Sequence, residues 1–100
     1  MNWQLDIRPD ALADIEEAAA WHEARQPGLG GDLARTVRQA IHTLLKNPLI
    51  YRIRNRRRRA RWFLPPRFPF RIVYRVDGEL ITVAAVIHAS RHDREWQRRM

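Results

Sequence analysis

The chain contains no cysteine, which excludes disulfides and thiolate-held zinc and fits a reducing compartment. It also lacks any apolar run near the roughly 20 residues that a membrane-spanning helix requires, and Trp3, Asp6 and Arg8 interrupt anything resembling a signal peptide. The expected location is the cytoplasm, with no membrane partner. Lysine is almost missing. Lys46 stands alone in a set of 19 Lys plus Arg, against 11 Asp plus Glu, for a formal net charge of +8. A chain charged almost wholly by arginine seeks polyanions, either nucleic acid or an acidic protein segment. No Ser-His-Asp triad, phosphate-cradling glycine loop or paired-carboxylate constellation can be read from the sequence, and His22 and His42 lie far apart and not in any metal-ligand spacing. Neither a metal nor a cofactor is expected.

What is there is enough for one modest core: 100 residues, 45% of them hydrophobic, with no composition break or repeat, hence a single domain over residues 1–100. Trp3, Leu5 and Ile7 alternate with polar residues, the period of a half-buried strand. Pro9 ends it, and Asp10 can cap a helix with an apolar stripe of Ala11, Leu12, Ile15, Ala18 and Ala19, closed by Trp21. Residues 26–31 form a Pro- and Gly-rich turn. A second helix from Asp32 carries Leu33, Val37, Ala40, Ile41, Leu44 and Leu45 at three- and four-residue spacing, and Asn47 and Pro48 stop it. A strand is expected around residues 58–64, and a short polar helix over residues 93–100 with Trp96 as its packing anchor.

The organising stretch is Phe70 to His92. Two apolar-rich runs flank Asp77 and Gly78, the signature of a β-hairpin. With those two residues as the loop, Val76 faces Glu79, Tyr74 faces Ile81, Ile72 faces Val83, Arg71 faces Ala84 and Phe70 faces Ala85. One face then holds Phe70, Ile72, Tyr74, Ile81, Val83, Ala85 and Ile87 as core. The other, with Arg71, Val73, Arg75, Leu80, Thr82, Ala84, Val86 and His88, is a candidate working surface. The expected fold is α+β: an antiparallel sheet of about four strands including an N-terminal one, a two-helix hairpin on one face and a short C-terminal helix.

The candidates for anion or partner binding are Arg54, Arg56, Arg57, Arg58, Arg59, Arg61 and Arg75, because guanidinium forks match phosphates and carboxylates. The candidates for catalysis, if the chain cuts RNA, are His88, or in its place His92, as proton-transfer group with Arg71 and Arg91 stabilising charge. In the register above Arg71 and His88 are four residues apart along one face, about 13 Å at a rise of 3.3 Å per residue, too far for a compact pair.

The order strand, two helices, three strands resembles the RelE/ParE superfamily of small bacterial toxins. The residues carrying the resemblance are Ala11, Asp14, Ile15, Ala18 and Trp21; Gly28, Leu29 and Gly30; Asn47, Pro48 and Tyr51; Phe68 to Tyr74; and His88, Arg91 and Trp96. The resemblance implies a type II toxin encoded beside an antitoxin whose acidic, partly disordered segment wraps and neutralises it. The turn motif and Phe68 to Tyr74 favour the ParE-like, plasmid-stabilisation branch, which implies growth inhibition through DNA gyrase and no hydrolytic site. The RelE-like alternative is a ribosome-dependent mRNA endonuclease, and a third reading is a non-toxic basic nucleic-acid-binding module. Asp93 stands where many relatives have proline, no tyrosine follows His92, and the run Arg56 to Arg59 is more basic than usual.

Overall fold

The computed structural model describes residues 2–100. Strand β1 (Gln4–Ile7) leads into helices α1 (Pro9–Arg25) and α2 (Leu29–His42), then strands β2 (Ile53–Asn55), β3 (Ala60–Phe63), β4 (Phe70–Asp77) and β5 (Leu80–His88), and a short helix α3 (Arg94–Gln97). The architecture is the expected α+β one, with two corrections to the sheet. It has five strands, ordered β1-β5-β4-β3-β2, and it is mixed, because β1 runs parallel to β5 while the other pairs are antiparallel. The helical hairpin and three strands lie between β1 and β5, which is chain enough to return in the same direction. Strand β2 escapes sequence patterning because it is three residues long with arginine at its centre.

The helices begin earlier than their patterns indicate. Pro9 occupies the first turn of α1, Arg8 precedes it in extended conformation, and no side chain caps the helix, so Asp10 lies inside the first turn and not at the cap. Proline fits there because its missing N–H has no intrahelical partner in any case. Trp21 does not close the apolar stripe: it is 53% exposed, with the Arg25 guanidinium over its ring at 3.3 Å. Helix α2 absorbs Gly30 and Gly31, which the turn pattern assigns to the loop. Gly30 is buried against α1, where an added Cβ would collide with the Ala19 carbonyl and lie 2.9 Å from Glu23 Cβ. The Glu23 carboxylate supplies the missing cap, accepting from the Gly28 N–H at 2.9 Å and the Gly30 N–H at 3.0 Å, where the helix dipole favours a negative charge.

Ile15, Leu33, Val37, Ile41 and Leu44 from the helical layer pack on Ile72, Tyr74, Ile81 and Val83 of the sheet to form the main core. Each such side chain contributes roughly 1.5–3 kcal/mol on full burial. The β4–β5 register differs from the one set by an Asp77-Gly78 loop. Asp77 instead pairs with Leu80, so Gly78 and Glu79 make the turn, Gly78 adopting the left-handed φ of +59 that glycine tolerates.

A bulge then falls between the pairs Tyr74↔Val83 and Val73↔Ala85, leaving Ala84 as the extra residue. Strand side chains alternate, so one inserted residue exchanges the faces beyond it. Val86 therefore joins the helix-side core, whereas Ala85 and Ile87 turn to the far face. There, with Val73 and Ala60, they form a second small core under Trp96 of α3. The far face is thus partly covered, which corrects the expectation of an open working surface along its whole length.

Candidate functional site

Arg71 is the buried charged residue among the described residues: 7% of its surface is exposed. It sits on the far face, paired across the sheet with Ile87. Burial of a guanidinium is costly unless its donors are satisfied, and the segment after β5 does most of this. One terminal nitrogen pairs with the Asp93 carboxylate, and the other donates to the Arg91 carbonyl at 2.5 Å. The Nε has no hydrogen-bond partner among the described residues, and the guanidinium lies 5.4 Å from the centre of the Trp62 ring. Asp93 also accepts from Trp96 Nε1 at 3.3 Å. Burial pushes the Asp93 carboxyl up, but the hydrogen bonds from Arg71 and Trp96 outweigh it and hold it below the ordinary range.

His88 lies on the other face. It pairs with Phe70, and the two rings meet edge-on at 5.4 Å. The bulge is the reason, since without it His88 and Arg71 share a side. The Ser90 N–H donates to His88 Nδ1 at 3.1 Å, and the Ser90 hydroxyl lies 2.7 Å from the same nitrogen. The neutral ring therefore carries its proton on Nε2. A cleft of about 460 Å³ opens here, lined by His88, Arg91, His22, Trp21, Glu17 and Glu95 among others. Of the three catalytic candidates the structure brings His88 and Arg91 to one cleft and leaves Arg71 on the opposite side of the sheet. His92 Nδ1 accepts from the Arg94 N–H at 3.1 Å at the entry to α3, and His42 is exposed, with Nδ1 2.8 Å from the Arg38 carbonyl.

The arginines proposed from sequence as one binding set divide sharply. Arg58 Nε donates to the Gln97 carbonyl at 3.1 Å, Arg61 donates to the Tyr51 carbonyl at 2.5 Å, and Arg59 and Arg75 converge on Asp77. Burial raises the Asp77 carboxyl, and the hydrogen bonds and charges of Arg75 and Arg59 outweigh it and hold it below the ordinary range. These four are committed within the chain. Arg54, by contrast, lies over the Trp62 ring at 4.0 Å. Arg56 and Arg57 are exposed in the turn between β2 and β3, without a side-chain hydrogen bond or ion pair among the described residues.

Sequence reasoning missed Trp62 as a stacking platform and Arg99 as a clamp. Arg99 donates to the Asp14 carboxylate at 2.6 and 3.0 Å and to the Ala84 carbonyl at 3.1 Å. Its hydrogen bonds to Asp14 hold its guanidinium above the ordinary arginine range. No local signal links positions 85 apart in sequence.

A five-stranded sheet with a helical hairpin on one face and a capped far face defines a RelE/ParE-like α+β architecture. The family profile described as ParE toxin of type II toxin-antitoxin system, parDE, matches residues 5–93, and the chain belongs to that family. Among solved structures, a chain of the chromosomal ParDE TA system from P. aeruginosa superposes with a TM-score of 0.80 at 15% identity, over 89% of this chain and 98% of that one. That likeness shows a shared fold. No curated protein sequence matches this one. Family membership implies a cognate antitoxin as partner.

Proposed function

We propose that this chain arrests growth by binding DNA gyrase and that a cognate antitoxin, through an acidic and partly disordered segment, neutralises it. One observation favours target binding over catalysis. Arg71, the residue positioned by sequence to stabilise a phosphoryl transition state, is buried and engaged with Asp93 and the Arg91 carbonyl, on the face of the sheet opposite His88. General acid–base chemistry on RNA requires the proton-transfer group and the charge-stabilising group within reach of one phosphate. Family membership supports the same reading.

The test is induced expression with two readouts, gyrase supercoiling by the purified protein and cleavage of messenger RNA in the cell. Inhibited supercoiling that persists in His88→Ala supports the proposal, as does rescue of growth by the adjacent reading frame. The second reading, a ribosome-dependent mRNA endonuclease, is favoured by the shared cleft of His88 and Arg91. Ribosome-dependent cleavage that disappears in His88→Ala would establish it and overturn the gyrase proposal.

A further inference from the structure

Between Asp32 and Asp77 the sequence contains no acidic residue, so most of the arginines there have no carboxylate close in sequence. The fold supplies internal partners to Arg58, Arg59 and Arg61 but none, among the described residues, to the guanidinium N–H groups of Arg52, Arg54, Arg56 and Arg57, all of them exposed. We infer that these four form a binding site for the phosphodiester backbone of nucleic acid, carried on the edge hairpin β2–β3.

The hairpin is built to hold them. Asn55 Oδ1 accepts from the Arg58 N–H at 3.0 Å, and the Arg59 N–H donates to the Arg56 carbonyl at 3.2 Å, closing the turn. Arg59 takes a left-handed φ of +53, a conformation unfavourable for a residue with a Cβ, and its side chain is fixed to Asp77. The turn therefore presents Arg56 and Arg57 from a braced backbone. The Arg54 guanidinium carbon lies 4.0 Å from the centre of the Trp62 ring, and with no hydrogen-bond partner among the described residues its N–H groups remain available to fork onto an anion. Strand β2 ends the sheet, so among the described residues no further strand pairs with its outer edge.

Charges on an edge strand also prevent edge-to-edge pairing, but that role needs neither a stacked guanidinium nor two arginines beyond the strand in the turn. An acidic amphipathic peptide would require an apolar anchor beside the charges. Ile53, the apolar residue of β2, pairs with Arg61 and so faces the side opposite Arg54, and the exposed Leu49 and Ile50 precede the strand, whereas Arg56 and Arg57 follow it. The four arginines occupy and flank the three-residue strand β2, and four residue steps of extended chain would cover at most about 13 Å, a length along which duplex DNA presents about eight phosphate charges. Contacts of this kind read charge and spacing, not sequence.

The test uses the full chain without gyrase, so its outcome is separable from the gyrase proposal. Binding to a labelled 20-base-pair duplex, and to a single-stranded RNA of the same sequence, is followed by fluorescence anisotropy at 50 and 200 mM salt. Four phosphate contacts predict a loss of affinity for duplex of about 100-fold over that range. The variant R52Q/R54Q/R56Q/R57Q is expected to lose this dependence, whereas R25Q/R38Q/R94Q/R98Q, with the same charge removed elsewhere, keeps it. The polymer on which the two variants differ more is the ligand. Arg54→Lys keeps the charge and the fold but loses the stacked fork, and is expected to bind several-fold more weakly. If the quadruple variant fails to fold, Arg56→Gln and Arg57→Gln singly should each reduce the salt exponent by about 0.9. Equal losses in both quadruple variants, or tight binding to poly-glutamate with none to either nucleic acid, would overturn the inference.

Discussion

The Asp14 carboxylate and the Arg99 guanidinium meet at 2.6 Å directly over the bulge in β5. Past the end of β1 that side of β5 has no neighbouring strand, and the pair satisfies what the bulge exposes. Asp14 accepts from the Val86 N–H at 2.9 Å, and Arg99 donates to the Ala84 carbonyl at 3.1 Å. One contact therefore joins α1, the bulge and the C-terminal segment. Asp14→Ala strands both the Val86 N–H and the arginine, and should destabilise the fold by about 2–3 kcal/mol. Arg99→Gln, which leaves Asp14 bonded to Val86, should cost about 1–2 kcal/mol. Urea unfolding of both single variants and the double variant checks this, with strong non-additivity as the expected signature.

The two adjacent glycines of α2 should respond in opposite ways. Gly30→Ala places a methyl against the Ala19 carbonyl, and backbone cannot yield as a flexible side chain does. A cost of about 1–3 kcal/mol is expected. At Gly31 the nearest atom to an added Cβ is Arg35 Nη1 at 3.8 Å, so alanine meets ordinary contact and gains helix propensity. Gly31→Ala should leave stability unchanged or raise it by up to about 1 kcal/mol. Thermal melting of the two variants side by side decides the matter. A Gly30→Ala protein as stable as the parent would mean that α1 and α2 can separate freely.

These same features mark where sequence reading stopped. Periodicity identified β1, both long helices and the β4–β5 hairpin, because each repeats an apolar signal over several residues, and Trp96 stood out as the lone aromatic of a polar segment. The bulge at Ala84 leaves no such signal: inserting one alanine in a continuous apolar run changes no pattern, yet it sends Val86 and His88 to one face and Ala85 and Ile87 to the other. The arginine cluster was legible as a cluster, but which members are free depended on partners distant in sequence. Asp77 takes up Arg59 and Arg75, and Gln97 takes up Arg58.

Acid should loosen the clasp that closes the far face. The Asp93 carboxyl is held below its ordinary value of 3.8 in the folded chain. A carboxyl depressed on folding contributes stability that is fully present above its unfolded value and is lost as pH falls through the folded one. The contribution is therefore constant from neutral pH down to about 4 and declines below that. Asp93→Asn should be less stable than the parent at pH 7, with the gap narrowing at pH 3. Urea midpoints at the two pH values measure it, and a gap of constant size would assign the effect to lost packing alone.

Alkali acts on the opposite side of the sheet. The Tyr74 hydroxyl is buried and donates to the Pro48 carbonyl at 2.6 Å, tying β4 to the segment that follows α2. Burial pushes its pKa from 10.0 to about 12, with the Arg61 charge opposing. Folding therefore favours the protonated phenol. The stability it contributes is whole below pH 10, where the unfolded side chain is also neutral, and falls as pH rises from 10 toward 12. Tyr74→Phe removes the hydrogen bond and should cost about 1 kcal/mol at pH 7, but it also removes the group that ionises on unfolding. The parent's advantage over Tyr74→Phe should then shrink by about 1 kcal/mol between pH 9 and 11. Denaturation at pH 7, 9 and 11 follows the difference directly, and an advantage that holds steady to pH 11 would show that the folded tyrosine ionises as readily as the unfolded one.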